Sequence, residues 1–205
     1  MRISHREIIE LRADLKGWVA KKKTAAKGFM RAGYAQATRL GIYKYHRVGN
    51  LSVAQSHLSG LMDRLELVDQ ARRDRAEDDL KAYHSWWRKA GRIYVQDRLR
   101  LGMILPGNFI LGGDVPRIDF DSSNETYHGV LLGTADPNWK ADLRTPILQA
   151  AIANRLSRDV DDIRVGVQSL DGSGLDLMQY SAKQVQRALD ELERLLSQAA
   201  RLLAK

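Results

Sequence analysis

The chain contains no cysteine. That single absence excludes a disulfide framework, a thiolate metal centre and a cysteine nucleophile together. It fits a reducing compartment, and a cytoplasmic location is expected. No run of about 18 uninterrupted apolar residues occurs, and the first residues, MRISHREIIELRADL, scatter charges among their apolar positions. Neither a membrane span nor a signal peptide is therefore expected. The five histidines, His5, His46, His57, His84 and His128, lie far apart and form no His-Glu-x-x-His or comparable metal spacing. The glycine-rich spots, Gly112-Gly113 and Asp171-Gly172-Ser173-Gly174, lack the lysine of a phosphate-cradling loop. No Gly-x-Ser-x-Gly elbow is present, and the sequence has no internal repeat or low-complexity tract.

What is present is positive charge, unevenly placed. The net charge is +8 over 205 residues. Residues 1–50 hold twelve Lys and Arg against three acids, and the remaining 155 hold 21 against 22. The basic excess thus sits in the first quarter, at Lys21, Lys22, Lys23, Lys27, Arg31, Arg39, Lys44 and Arg47, with Tyr34, Tyr43 and Tyr45 between them. Clustered cations gain affinity for nucleic acid by releasing its condensed counterions, so these eight are candidate nucleic-acid contacts, with DNA the expected partner. The tyrosines sit at helical spacing and are expected mostly in the core.

The periodicity places helices first. Ser4 and Glu7 have capping-box spacing ahead of Ile8, Leu11, Leu15 and Trp18, which predicts a helix of about four turns. Ser52 is a candidate N-cap for a helix carrying Leu58, Leu61, Met62, Leu65 and Val68. The charged stretch QARRDRAEDD reads as an exposed helical surface or a mobile connection, and Tyr83, Trp86, Trp87, Ile93 and Val95 as a further helix running toward Leu101. Pro106-Gly107 then ends the helical regime. The runs NFILGG (108–113), VPRIDF (115–120) and YHGVLLGT (127–134) predict three strands in an antiparallel meander, with a polar turn over 121–125. Asp136-Pro137-Asn138 reads as a turn. Thr145-Pro146 is expected to cap and open a helix with Ile147, Leu148, Ala151, Ile152 and Leu156 on its apolar face. The runs 163–170 and 175–180 predict a hairpin, and Ser181 with Gln184 a second capping box. The final helix carries a long stripe from Val185 through Leu189, Leu192, Leu196 and Ala199 to Leu203. That stripe docks either on the sheet or on a partner protein or second copy.

The expected fold class is α/β (α+β): a basic helical region over 1–105, then a mixed sheet of about five strands flanked by helices over 106–205, as one compact unit. This order resembles the RecB-like branch of the PD-(D/E)XK nuclease superfamily. Gly113-Asp114-Val115-Pro116-Arg117-Ile118-Asp119 is similar to the family's Gly-x-x-Asp-Arg-x-Asp strand, with Pro116 at the catalytic aspartate and Asp119 at the second one. Leu131 and Gly133 stand where the resemblance implies the acid and lysine of Asp-x-Lys. Gln149 matches a family glutamine near the nucleic acid, and Ala153 stands where a tyrosine would be.

Phosphodiester hydrolysis by such a fold needs two or three carboxylates around magnesium, and the matched positions do not supply them. The expected function is a nucleic-acid-binding or scaffolding subunit without resident metal or cofactor, in antiviral defence or DNA repair as the resemblance implies. Gln149 joins the cationic contacts. One alternative is an active Mg²⁺-dependent nuclease that uses Asp119 with Asp121 or Glu125, in a displaced acidic site that also includes Asp114, with His128 or Lys140 nearby as a proton-handling or charge-stabilising group. The other is a purely protein-binding subunit that uses the C-terminal helix.

Overall fold

A computed structural model describes residues 1–24, 33–65, 69–133 and 137–204. The candidate contacts Lys27 and Arg31, and part of the 136–138 turn, lie outside these described residues. The elements in chain order are β1 (Arg2–Ser4), α1 (Glu7–Ala13), α2 (Leu15–Thr24), α3 (Tyr34–Val48), α4 (Leu51–Arg64), α5 (Gln70–Trp87), β2 (Ile93–Arg100), β3 (Met103–Leu105), β4 (Phe109–Gly112), β5 (Asp114–Asp121), β6 (Thr126–Leu132), α6 (Arg144–Leu156), β7 (Ile163–Gln168), β8 (Asp176–Met178) and α7 (Ala182–Leu203).

Five strands form the main sheet, in the order β2-β5-β6-β7-β8, and β1-β4-β3 form a small second one. β6 and β7 run parallel, and a parallel pair needs a crossover connection, here supplied by α6. The remaining main-sheet pairs are antiparallel. The expected hairpins β5–β6 and β7–β8 both form, but β4 does not join the meander. It pairs instead with β1, in parallel, and with β3, and β2 takes the place beside β5. β2 lies where a helix was expected. Gly91 at φ +61 ends the helical regime after Trp87, so strands begin well before residue 106 and the 1–105 region is not wholly helical.

Helices cover both faces of the sheet. Residues of α1, α2, α6 and α7 bury a core with Val115, Ile118, Ile163 and Val165. On the other face, α3, α4 and α5 pack Ala37, Ile42, Leu58, Leu80 and Tyr83 against Val130 and Leu132. The layers are close enough to dictate small residues: a Cβ at Gly129 would lie 2.3 Å from Ile152 Cδ1. The α7 stripe is used within the chain, since Leu192, Leu196 and Ala199 are fully buried in the first core.

The caps differ in accuracy from one helix to the next. Ser4 and Glu7 exchange hydrogen bonds, Ser4 N donating to Glu7 at 2.8 Å and Glu7 N to Ser4 at 3.3 Å. The helix they start nevertheless breaks at Asp14 into α1 and α2. The box at Ser181 and Gln184 caps α7. Asn50, not Ser52, caps α4 by accepting from Val53 N. Thr145 lies inside the first turn of α6 and donates to the Trp139 carbonyl at 2.7 Å, so it is not the cap.

Candidate functional site

β5 carries two different neighbourhoods. Pro116 lines a cleft, while Arg117 and Asp119 lie opposite Val130 and His128 of β6 in the buried layer beneath α3–α5. Proline in an interior strand lacks an N–H for the ladder. Here Val115 pairs with Leu99 and Arg117 with Asp97, so the residue opposite Pro116 is Arg98, whose φ is +48, and the β5–β6 pairing starts only at Arg117.

The buried side is an ion-pair nest. Arg117 is 1% exposed and Asp119 fully buried. Arg117 donates through Nε and Nη2 to the two Asp119 oxygens at 2.9 and 3.2 Å, and through Nη1 to Tyr83 Oη at 2.8 Å and Gln168 Oε1 at 2.7 Å. The rings of Tyr83, Trp86 and Trp87 lie 5.2 to 5.6 Å from the guanidinium carbon. Burial pushes the Asp119 carboxyl above its ordinary value, and the Arg117 guanidinium opposes that push. Arg92 bonds the His128 ring, whose other nitrogen meets Thr126 Oγ1 at 3.0 Å.

The acidic candidates each have their own setting. Asp119 is enclosed by its arginine. Asp121 accepts from Ser123 N and Asn124 within its own turn, and Glu125 is exposed at φ +53 on that turn. Asp114 pairs with Arg98 at 3.2 Å, and Lys140 with Asp176 at 2.8 Å. Among the described residues no group of three or more acids or histidines is placed to hold a metal ion. Gln149 is also no surface contact. It is fully buried, donates to the carbonyls of Val160 and Tyr180, and accepts from Tyr180 N.

The open side of β5 is the cleft. Its inner cavity, about 190 Å³, is lined by Pro116, Leu131 and Gly133 together with His5, Arg6, Arg39, Asp114 and Arg144. The three positions at which the resemblance implies aspartate, acid and lysine thus surround one cavity, with proline, leucine and glycine in their place. Those residues and the arginines around them do not fit magnesium, which requires oxygen ligands. The cavity opens into a groove that adds Tyr43 and Arg98, and Tyr43 and Arg98 continue into a third depression lined by Lys44, Arg47 and His57.

Six cations and one carboxylate, Asp114, line this track. Arg47, Arg98 and Arg144 already pair with Asp97, Asp114 and Asp142. Arg6, Arg39 and Lys44 have no carboxylate partner among the described residues, which leaves a net positive track. Arg39 donates to the Leu132 carbonyl at 3.4 Å and to Gln36 at 3.0 Å, and burial holds its guanidinium below the ordinary value.

β1 positions the inner end. Pairing with β4 carries His5 and Arg6 to the start of β5, where His5 N donates to the Gly112 carbonyl. Gly113, at φ +108, admits the His5 ring: a Cβ there would lie 2.9 Å from His5 Cδ2. Of the basic candidates, Arg39, Lys44 and Arg47 line the track. Lys21, Lys22 and Lys23 lie on α2 and do not line it; Lys21 pairs with Glu10 and Lys22 with Glu7. His5 and Arg6 escaped sequence reasoning because a three-residue strand places them, Arg98 because its backbone is left-handed, and Arg144 because only the packing of α6 brings it to the cavity.

No family model and no curated protein matches the sequence. Among solved structures, a "Putative exonuclease" from Eubacterium rectale aligns with a TM-score of 0.57 over 99% of this chain and 81% of the other, at 11% identity. The chain has a nuclease-like α+β fold. At that identity the likeness speaks for the architecture alone, and the residues lining the cleft are this chain's own.

Proposed function

We propose that this protein is a nucleic-acid-binding member of the RecB-like PD-(D/E)XK group whose metal site has been replaced by an anion-binding cleft. The observation that carries the reading is the coincidence of the three motif positions, Pro116, Leu131 and Gly133, in one cavity ringed by Arg6, Arg39 and Arg144. Where a nuclease of this kind would place carboxylates around magnesium, this cleft presents guanidinium groups, which suit phosphate oxygens directly. A strand lying from Lys44 and Arg47 past Arg98 to the inner cavity would have its backbone charge met along the way.

The backbone of Arg98 supports the same reading. A non-glycine residue in the left-handed region costs on the order of 1 kcal/mol or more and tends to persist where it serves a site. Here it lies opposite Pro116 and its side chain lines the groove. Binding that rests on phosphate contacts weakens as salt rises, with a slope set by the number of contacts. Fluorescence anisotropy with short labelled DNA, single- and double-stranded, tests this: binding at low salt that collapses with added salt is expected, and no binding to either form at low salt would sink the proposal. A role as a subunit in antiviral defence or DNA repair is a natural setting for such a protein.

A further inference from the structure

His5 is the group in the cleft that phosphate contacts alone leave unexplained. It is 5% exposed, lines both the inner cavity and the groove, and its Nδ1 has no hydrogen-bond partner among the described residues. A buried polar atom left unpaired costs about 1–3 kcal/mol, and such atoms are uncommon enough to call for a cause.

The charged groups around His5 come from every neighbouring element: Arg6 next to it in the chain, Arg39 from α3, Asp114 from β5 and Arg144 from α6. Burial first, and then Arg144 and Arg6, hold the imidazole at about 4, so the ring is neutral at neutral pH. The cavity of about 190 Å³ far exceeds the roughly 10–15 Å³ that one water requires. It is a positively charged recess, open to the groove, beside a ring for which burial and the neighbouring arginines outweigh the Asp114 groups that favour its charge.

We propose that this inner cavity is a pocket for a phosphoryl group, and that His5 completes it with Arg6, Arg39 and Arg144 by taking up a proton from solvent as the anion enters. The inference rests on the nucleic-acid reading of the cleft and sharpens it, assigning one end of the track a phosphate-specific, proton-linked site. The physical cause is mutual. An anion in the cavity cancels the arginine field that keeps the proton off His5, and the resulting imidazolium gives the anion another cationic partner. By linkage, whatever raises the proton affinity of His5 must be bound more tightly by the protonated protein. The phosphoryl group belongs to a strand's backbone, a strand's phosphorylated end or a free phosphate, all of which share this chemistry.

Sulfate is the probe, because it stays a dianion across the range in which histidine titrates and its own protonation cannot mimic the effect. The His5 ring resonance of the whole protein is followed against pH by NMR, with and without sulfate, and assigned with His5→Gln. Should that variant not fold, triple-resonance assignment of the unaltered chain gives the same readout. Sulfate is expected to raise the His5 midpoint by at least about one pH unit, a tenfold preference for the protonated form, and Arg39→Gln is expected to remove most of the rise. A midpoint that sulfate does not move overturns the inference. Inorganic phosphate and oligonucleotides with and without a 5′-phosphate, run in the same way, then identify the source. A strand that binds tightly without moving His5 overturns the pocket while leaving the nucleic-acid reading intact. Sulfate that moves His5 when no strand binds supports the pocket and sinks that reading.

Discussion

Arg117 and Asp119 lie two residues apart on β5 and form a bidentate ion pair with almost no solvent contact, roofed by Tyr83, Trp86 and Trp87. The pair ties the strand that carries Pro116 to the helical layer formed by α3–α5. The Asp119 oxygens are occupied by that arginine, so this acid is part of the scaffold of the cleft.

Removing Asp119 leaves the Arg117 charge buried without its bidentate partner, and removing Arg117 leaves Asp119 with only Arg92, 3.8 Å away; breaking such a buried pair costs about 3–5 kcal/mol. Asp119→Ala and Arg117→Ala are each expected to lower the urea midpoint strongly, measured by far-UV circular dichroism. Loss of any nuclease activity in Asp119→Ala would therefore need a folding control. Replacing both residues by apolar ones of similar volume should cost much less than either single change.

Two histidines, the buried His5 and the partly buried His46, set the acid limit of stability. Burial, followed by Arg117, holds His46 at about 3, and burial with Arg144 and Arg6 holds His5 at about 4, both below the unfolded value of about 6.5. With the folded pKa lowered, the unfolded chain binds more protons below that value. The stabilising contribution is therefore full above about pH 6.5 and is lost as pH falls toward the folded values. At pH 5 the loss is about 2 kcal/mol for each ring. Urea titrations at pH 7 and pH 5 should show it; equal midpoints at the two pH values would contradict these environments.

Gln149 and Arg39 should separate stability from binding. Gln149→Ala breaks three hydrogen bonds, two of them buried, and leaves the Tyr180 N–H unpaired, and a cost of at least about 1–3 kcal/mol in stability is expected, with DNA affinity unchanged in the folded fraction. Arg39→Gln should do the reverse, keeping the urea midpoint nearly constant while weakening DNA binding roughly tenfold, the effect of losing a charge-assisted contact.

The C-terminal helix belongs to the core. Leu192→Ala or Leu196→Ala should each cost about 2–5 kcal/mol. Deleting residues 182–205 should give a chain that fails to fold, as seen by loss of near-UV circular dichroism. A truncated chain that stays folded and merely changes its oligomeric state would favour a docking role for α7.

Much of the nuclease-like half was legible because its signals are local. The turn at 121–125 joins two β-rich runs, Ser181 and Gln184 stand at capping spacing, and Leu192 and Leu196 recur at helical period. β1, β2 and β3 escaped because strands of three residues carry no periodic signal, and because Ile93 and Val95 follow a helix whose end is marked only by Gly91. The Ser52 and Thr145 caps were each misplaced by two positions: Asn50 caps α4, and the N-cap of α6 is Leu143, which has no side-chain cap bond. The candidate site was half legible. Arg39, Lys44 and Arg47 stood out by charge, and Pro116, Leu131 and Gly133 by what they replace. That β1 would bring His5 and Arg6 beside them depends on a pairing across more than a hundred residues, which no local pattern announces.

The measurement that bears most directly on the cleft is the salt dependence of DNA affinity in the unaltered protein, Arg39→Gln, Arg98→Gln and Lys21→Gln. Loss of one phosphate contact should reduce the slope of log K against log salt by about 1. The expected result is a shallower slope for Arg39→Gln and Arg98→Gln and an unchanged one for Lys21→Gln, whose side chain lies off the track. A slope that falls with Lys21→Gln and holds with Arg39→Gln and Arg98→Gln would place the nucleic acid elsewhere and contradict the cleft as its seat.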